Sequence, residues 1–361
     1  MLWDIFCNVI DNHGDIGVCW RLSAQLAASG QSVRLWVDDD SALAWMAPDR
    51  GSVDVRPWDA QASQGVLPGE VVIEAFGCEL SPQFQQAIAA KAAAQGHQPA
   101  WINLEYLSAE SFAQRSHGLP SPVLAGPAAG LTKYFYYPGF TPATGGLLRE
   151  PGLVQRQLDF DRDAWLREQG IHVVAGARVV TLFCYEPPLL DRLLPKFAHG
   201  DDPVHLLVTA GRATAAEQAA QDLLEHADRS WNRSSTLAIT NLPLLSQVDF
   251  DHLLWAGDFN FVRGEDSLVR ALWAGKPMAW QAYPQRDDAH RAKLLAFLDW
   301  LEAPAPLREF HLAWNGFADS LPDIEFECWG SCTEKARQRL LAQEDLLTQL
   351  GAFVGTLPGT P

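Results

Sequence analysis

The feature that most constrains this chain is an alternation. Short apolar runs, each closed by a polar or glycine turn, are repeatedly followed by stretches in which apolar residues recur at helical spacing, the pattern of a parallel α/β sheet. The first run, Trp3-Asp4-Ile5-Phe6-Cys7-Asn8-Val9-Ile10, passes through Asp11-Asn12-His13-Gly14-Asp15-Ile16-Gly17 into a helix marked by Val18, Leu22 and Leu26. Further strands are expected at 32–37, 71–77 and 100–104, with a helix over 82–95 stopped by Gly96. The alternation resumes with strands at 178–186, 204–210, 237–239 and 260–262, and with helices at 161–169, 214–226, 267–274 and 288–301. Between the two series, over 107–158, periodicity gives way to prolines, glycines and aromatics, including Lys133-Tyr134-Phe135-Tyr136-Tyr137. So long a segment without a clear helix or strand is expected to be functional or interdomain.

At 361 residues the chain exceeds what one core usually organises. Two domains are expected, 1–160 and 161–333, with a C-terminal helix and tail over 334–361. The formal charge of −17 argues against nucleic acid as a partner, since backbone binding draws on clustered Lys and Arg. Six scattered cysteines fit reduced core thiols rather than a disulfide framework, and Cys328 with Cys332 is too sparse a pair for a metal site. The chain opens directly on a strand carrying Asp4, and it contains no uncharged apolar run of membrane-spanning length. A cytoplasmic protein with no membrane partner is expected.

Familiar chemistry is missing. No Gly-x-Gly-x-x-Gly follows Ile10, Gly275-Lys276-Pro277 lacks the rest of a phosphate-binding NTPase loop, and neither His-Glu-x-x-His nor Gly-x-Ser-x-Gly occurs. Two places remain. In Phe261-Val262-Arg263-Gly264-Glu265-Asp266-Ser267, running into a helix, Gly264 permits close approach of a ligand and Arg263 offers a forked cation for phosphate oxygens. Glu265 is suited to sugar hydroxyls, while Asp266 and Ser267 also read simply as helix caps. Phe183 and Tyr185, two apart at a strand's end, fit either core packing or a nucleotide site. In the opening turn, Asp11 and Asp15 are either turn and cap residues or a carboxylate pair pointing into one cleft.

The opening turn through Leu22, together with Ile102-Asn103-Leu104-Glu105-Tyr106-Leu107-Ser108, 261–267 and Tyr283-Pro284-Gln285, resembles the EarP family, bacterial protein-arginine rhamnosyltransferases that modify elongation factor P. The resemblance covers nearly the whole chain. It implies a GT-B-type glycosyltransferase of α/β class, two Rossmann-like lobes facing across a cleft. It implies dTDP-β-L-rhamnose as donor substrate, inversion at the anomeric carbon, and an arginine of elongation factor P as acceptor, while the lack of an evident metal-ligand cluster in the sequence fits an enzyme with no metal or other cofactor. The family's catalytic carboxylates fall on Asp11, Asp15 and Glu265, and its donor-binding positions on Phe183, Tyr185, Gln247, Arg263, Gly264, Glu265, Asp266 and Ser267. Leu244 stands where an aromatic is expected on the far side of the base. The rival expectations are a nucleotide-sugar epimerase or hydrolase of the same fold, and a non-catalytic binder of elongation factor P.

Overall fold

A computed structural model describes residues 1–10, 13–59, 65–233, 236–285 and 288–358. The chain divides into two compact units, Met1–Pro151 with Leu340–Pro361, and Gly152–Arg339.

The first unit contains β1 (Leu2–Cys7), α1 (Gly14–Ala28), β2 (Ser32–Val37), α2 (Leu43–Met46), β3 (Asp54–Pro57), β4 (Val71–Ala75), α3 (Pro82–Gln95), β5 (Ala100–Leu104), α4 (Ser111–Ser116), β6 (Pro120–Pro122) and β7 (Thr132–Tyr136). Its sheet runs β3-β2-β1-β4-β5-β7-β6, parallel except for the β6–β7 pair. Strand order reverses between β1 and β4, so the carboxyl ends of these neighbours form the crevice where such sheets bind ligands. β1 carries a buried charge within its apolar run. Asp4 is fully enclosed, and Arg34 grips it with two bonds of 2.6 Å while the Trp36 indole and the Gly69 N–H donate at 2.8 and 2.7 Å. This saturation lets a carboxylate sit in a central strand. Asp4 and Arg34 are direct partners across β1 and β2, so the pair also fixes their register.

The second unit contains α5 (Leu153–Leu158), α6 (Arg162–Glu168), β8 (Arg178–Leu182), α7 (Leu190–Ala198), β9 (Val204–Val208), α8 (Arg212–Ala227), β10 (Leu237–Asn241), α9 (Gln247–Ala256), β11 (Phe259–Arg263), α10 (Asp266–Ala274), β12 (Met278–Gln281), α11 (Ala289–Leu301) and α12 (Ala305–Trp314). Its all-parallel sheet runs β10-β9-β8-β11-β12, reversing between β8 and β11. One face is aromatic: Phe261 lies 4.4 Å from Trp314 between ring centroids, and Phe310 lies 5.2 Å from Trp329.

The single C-terminal helix expected within 334–361 is instead two, α13 (Phe326–Leu341) and α14 (Leu346–Thr356), with Asp345 capping the second through the Thr348 N–H. α14 buries Leu346, Leu350 and Val354 in the core of the first unit. This explains the aromatic segment that sequence periodicity left open. It contains β7, whose Tyr136 is fully buried with its ring 5.6 Å from Phe353 of α14. Gly145 lies so close beneath that ring that an added Cβ would stand 2.2 Å from it. Tyr134, Tyr136 and Leu148 of this segment form a packing seat for α14.

Candidate active site

In the second unit, residues after β8 and β11 meet at the reversal point. The Phe183 N–H bonds the Phe261 carbonyl at 3.0 Å, extending the ladder one residue past β8. The Arg263 guanidinium lies 4.5 Å from the Phe183 ring centroid and 4.7 Å from that of Tyr185, and donates to the Cys184 carbonyl at 3.0 Å. Two aromatic faces and a carbonyl therefore orient this cation. Burial pushes the Cys184 thiol up to about 12, which keeps it protonated and inert beside the site.

The turn behind Arg263 is fixed on both sides. Gly264 has φ of +63°, its N–H donates to the Gln281 carbonyl at 3.2 Å, and its carbonyl accepts the Trp280 indole N–H at 2.6 Å. The Gln281 side chain in turn accepts the Tyr185 N–H at 2.8 Å. β12 is thus the spacer that sets the β8 and β11 loops at one height. α12 clamps it: His311 Nε2 accepts the Trp280 N–H at 3.0 Å, and Asn315 bridges the Trp280 carbonyl and the Ala282 N–H, each at 2.9 Å.

His311 is fully enclosed, and burial lowers its pKa to about 4. A histidine held neutral contributes stability above its unfolded pKa of about 6.5, and loses it as pH falls towards the folded value. Between pH 6.5 and 4 this group is expected to remove roughly 3 kcal/mol of stability. Urea unfolding across that window checks it: His311→Gln should show a shallower pH dependence than the parent, and equal slopes would contradict the assignment.

Ser267 does not cap α10. It is the second residue of that helix, and its hydroxyl turns back to the Arg263 backbone, accepting that residue's N–H at 3.0 Å and donating to its carbonyl. Glu265 occupies the cap position without a side-chain cap bond, and its carboxylate pairs with Lys293 of α11. The first turn of α10 is therefore closed by a rigid serine loop and flanked by Arg263. Gln247 is the first residue of α9, and Phe250, one turn further on the same face, meets the Phe183 ring edge-on at 5.1 Å. Leu244 is half-exposed in the loop before α9.

In the first unit, Asp15 lies in the first turn of α1 at the β1–β4 reversal point. It is only 3% exposed, and its carboxylate accepts the Ile10 N–H at 2.9 Å. One turn along α1, Cys19 is held as a neutral thiol by its hydrogen bond with Cys7, by burial and by the charge of Asp15. Phe76, just past β4, has φ of +58°, a strained value for a bulky residue. Its N–H bonds the Leu104 carbonyl at 2.7 Å and its ring stacks on Tyr106 at 4.8 Å. Glu105, beside Tyr106, has its carboxyl pushed upward by burial against a 2.8 Å bond from Asn103.

A family model described as Elongation-Factor P (EF-P) rhamnosyltransferase EarP matches residues 3–355. The chain belongs to the EarP family. A protein-arginine rhamnosyltransferase of Pseudomonas putida is 43% identical over 379 aligned positions, covering 97% of this chain and 98% of that protein. One of Pseudomonas aeruginosa is 43% identical over 87% of this chain and 86% of its own length. A solved structure reported as the basis for EarP-mediated arginine glycosylation of translation elongation factor EF-P is 32% identical, covers 99% of both chains and superposes with a TM-score of 0.65. MurG of Acinetobacter baumannii, at 14% identity, 99% coverage of both chains and a TM-score of 0.52, shares the fold alone. That fold is GT-B, and each unit of this EarP-family chain is a Rossmann-like half of it.

Of the residues singled out in the sequence, Phe183, Tyr185, Arg263, Gly264, Glu265, Asp266 and Ser267 gather at one reversal point, and Gln247 opens α9, whose Phe250 packs on Phe183. Asp15 stands at the corresponding point of the first sheet, and Asp11 lies outside the described residues. Sequence reasoning gave no site role to Phe76 or Glu105. For Phe76 and Glu105 the available signal was position, directly after a strand beside the reversal.

Proposed function

We propose that the chain transfers L-rhamnose from dTDP-β-L-rhamnose to an arginine side chain of translation elongation factor P, with inversion at the anomeric carbon. The observation that carries this reading is the stacking of Arg263 between Phe183 and Tyr185 at the start of α10, in a chain of the EarP family. Family membership also leaves the epimerase, hydrolase and binder readings without support of their own.

Donor binding is assigned to the second unit. Phe183 offers a face to the base, Gln247 and Asp266 bind at the nucleotide's polar edges, and Glu265 takes hydroxyls of the sugar. The diphosphate meets Arg263, Tyr185, Ser267 and the N-terminal N–H groups of α10. Acceptor activation is assigned to Asp11 and Asp15. A free guanidinium has a pKa of about 12.5 or more and its lone pairs are delocalised, so a carboxylate does not deprotonate it beforehand. The proton leaves as the bond forms. The guanidinium nitrogen attacks the anomeric carbon, the bond from that carbon to the diphosphate oxygen breaks, and the nitrogen's proton passes to Asp15. Asp11 holds the guanidinium from another side. Backside displacement converts the β-linked donor to an α-linked product. The reaction belongs in the cytoplasm, where the acceptor works.

Nuclear magnetic resonance of elongation factor P after incubation with the chain and dTDP-β-L-rhamnose tests this reading. An α-L-rhamnosyl arginine is expected. A β-linked sugar would contradict the single displacement, and free rhamnose with unmodified acceptor would contradict transfer.

A further inference from the structure

Arg212 belongs to none of the sequence motifs, yet its guanidinium ends in the cluster described above. It opens α8 directly after Gly211, whose φ of +94° and ψ of −129° place the backbone in a region reserved for glycine. The helix follows β9, the neighbour of β8, so this turn lies at the same sheet edge as Phe183 and Tyr185. The Arg212 guanidinium lies 4.8 Å from the Tyr185 ring centroid, and that of Arg263 lies 4.7 Å from the same centroid. Two cations share one ring.

Glu186 holds Arg212 in a two-bond fork, from Nε at 2.9 Å and from Nη2 at 2.5 Å. Its carboxyl is kept below the usual range first by the Arg212 hydrogen bonds, then, against some burial, by the charges of Arg212 and Arg263. A fork that fits two carboxylate oxygens also fits two phosphate oxygens. The Glu186 side chain is 62% exposed, so this pair is a weak one that a more highly charged ligand can exchange. A diphosphate brings more charge and more acceptor oxygens than this one carboxylate.

We infer that Arg212 is a second cation for the diphosphate of the donor, and that Glu186 is the internal carboxylate occupying it until the diphosphate arrives. The inference rests on the donor reading given above and adds a residue to it. Arg212 is a binding residue here, acting alongside Arg263 at the same Tyr185 ring.

Calorimetric titration of the full chain with thymidine diphosphate and, separately, with thymidine tests it. Arg212→Gln is expected to weaken thymidine diphosphate by about ten-fold or more, as loss of a charge-assisted fork does, while thymidine affinity stays within about two-fold. Glu186→Gln, which removes the competing charge, is expected to bind thymidine diphosphate at least as tightly as the parent. Unchanged diphosphate affinity in Arg212→Gln, or an equal loss for both ligands, would overturn the role of Arg212. Weaker diphosphate binding in Glu186→Gln would overturn the placeholder role of Glu186. A parent chain that binds no thymidine diphosphate would instead defeat the donor reading itself, and this inference with it.

Discussion

Asp15→Asn is expected to lower rhamnosyl transfer by about a thousand-fold, the scale of losing a general base, while leaving fold and donor affinity intact. The substitution is nearly isosteric. Asparagine keeps an oxygen to accept the Ile10 N–H that Asp15 now accepts at 2.9 Å, so the turn into α1 survives. What disappears is the basicity needed when the attacking nitrogen sheds its proton. The almost complete enclosure of Asp15 makes the loss hard to replace by water. Single-turnover assays with saturating donor check the rate, and calorimetry checks donor binding. Turnover within a few-fold of the parent would remove Asp15 as the base. Lost donor binding with an intact fold would move it into the nucleotide site.

Arg270→Ala is expected to destabilise the second unit by about 3–5 kcal/mol, because it leaves Asp251 as an enclosed carboxylate without its guanidinium. Both side chains are almost wholly buried, 1% and 2% exposed, and they meet through two bonds of 2.8 and 2.6 Å. Asp251 lies on α9 and Arg270 on α10, so the pair joins the helix that begins with Gln247 to the helix that begins beside Arg263. Replacing both residues with apolar ones of similar size, as in Arg270→Met with Asp251→Leu, should recover most of the loss, since the cost lies in the unpaired charge. Urea unfolding of the parent, single and double variants measures this. A double variant as unstable as Arg270→Ala would contradict it.

How far the sequence carried the fold depended on what each segment buries. β1, β8 and β9 are buried on both faces and mostly apolar, and their runs are legible without any knowledge of neighbours. β3 and β6 were not legible: each is short, half-open to solvent and contains proline. β7 went unread because Tyr134 and Phe135 are only partly covered, and its buried Tyr136 owes that burial to α14, more than two hundred residues away in the chain. No local pattern announces such a partner.

The site divides along similar lines. Glycine and arginine in 263–267 announced a tight turn with a cation, and the structure has both. Ser267 looked like a cap because serine before an apolar helix usually is one. Here its hydroxyl closes a loop on the Arg263 backbone instead, the local competition that serine side chains offer. Arg212 carried no signal at all, since an arginine opening a helix is ordinary and only the meeting of β8 with β9 brings it to Tyr185. The two reversal points follow from strand order, and strand order is what a list of strands leaves open.

The proposed reaction transfers one deoxyhexose to one arginine of a protein acceptor. Intact-mass spectrometry of elongation factor P, incubated with this chain and dTDP-β-L-rhamnose, measures it most directly. The expected result is a single added deoxyhexose that maps to an arginine and disappears when that arginine is replaced by lysine. An acceptor of unchanged mass, with the chain folded and the donor bound, would rule out this transfer.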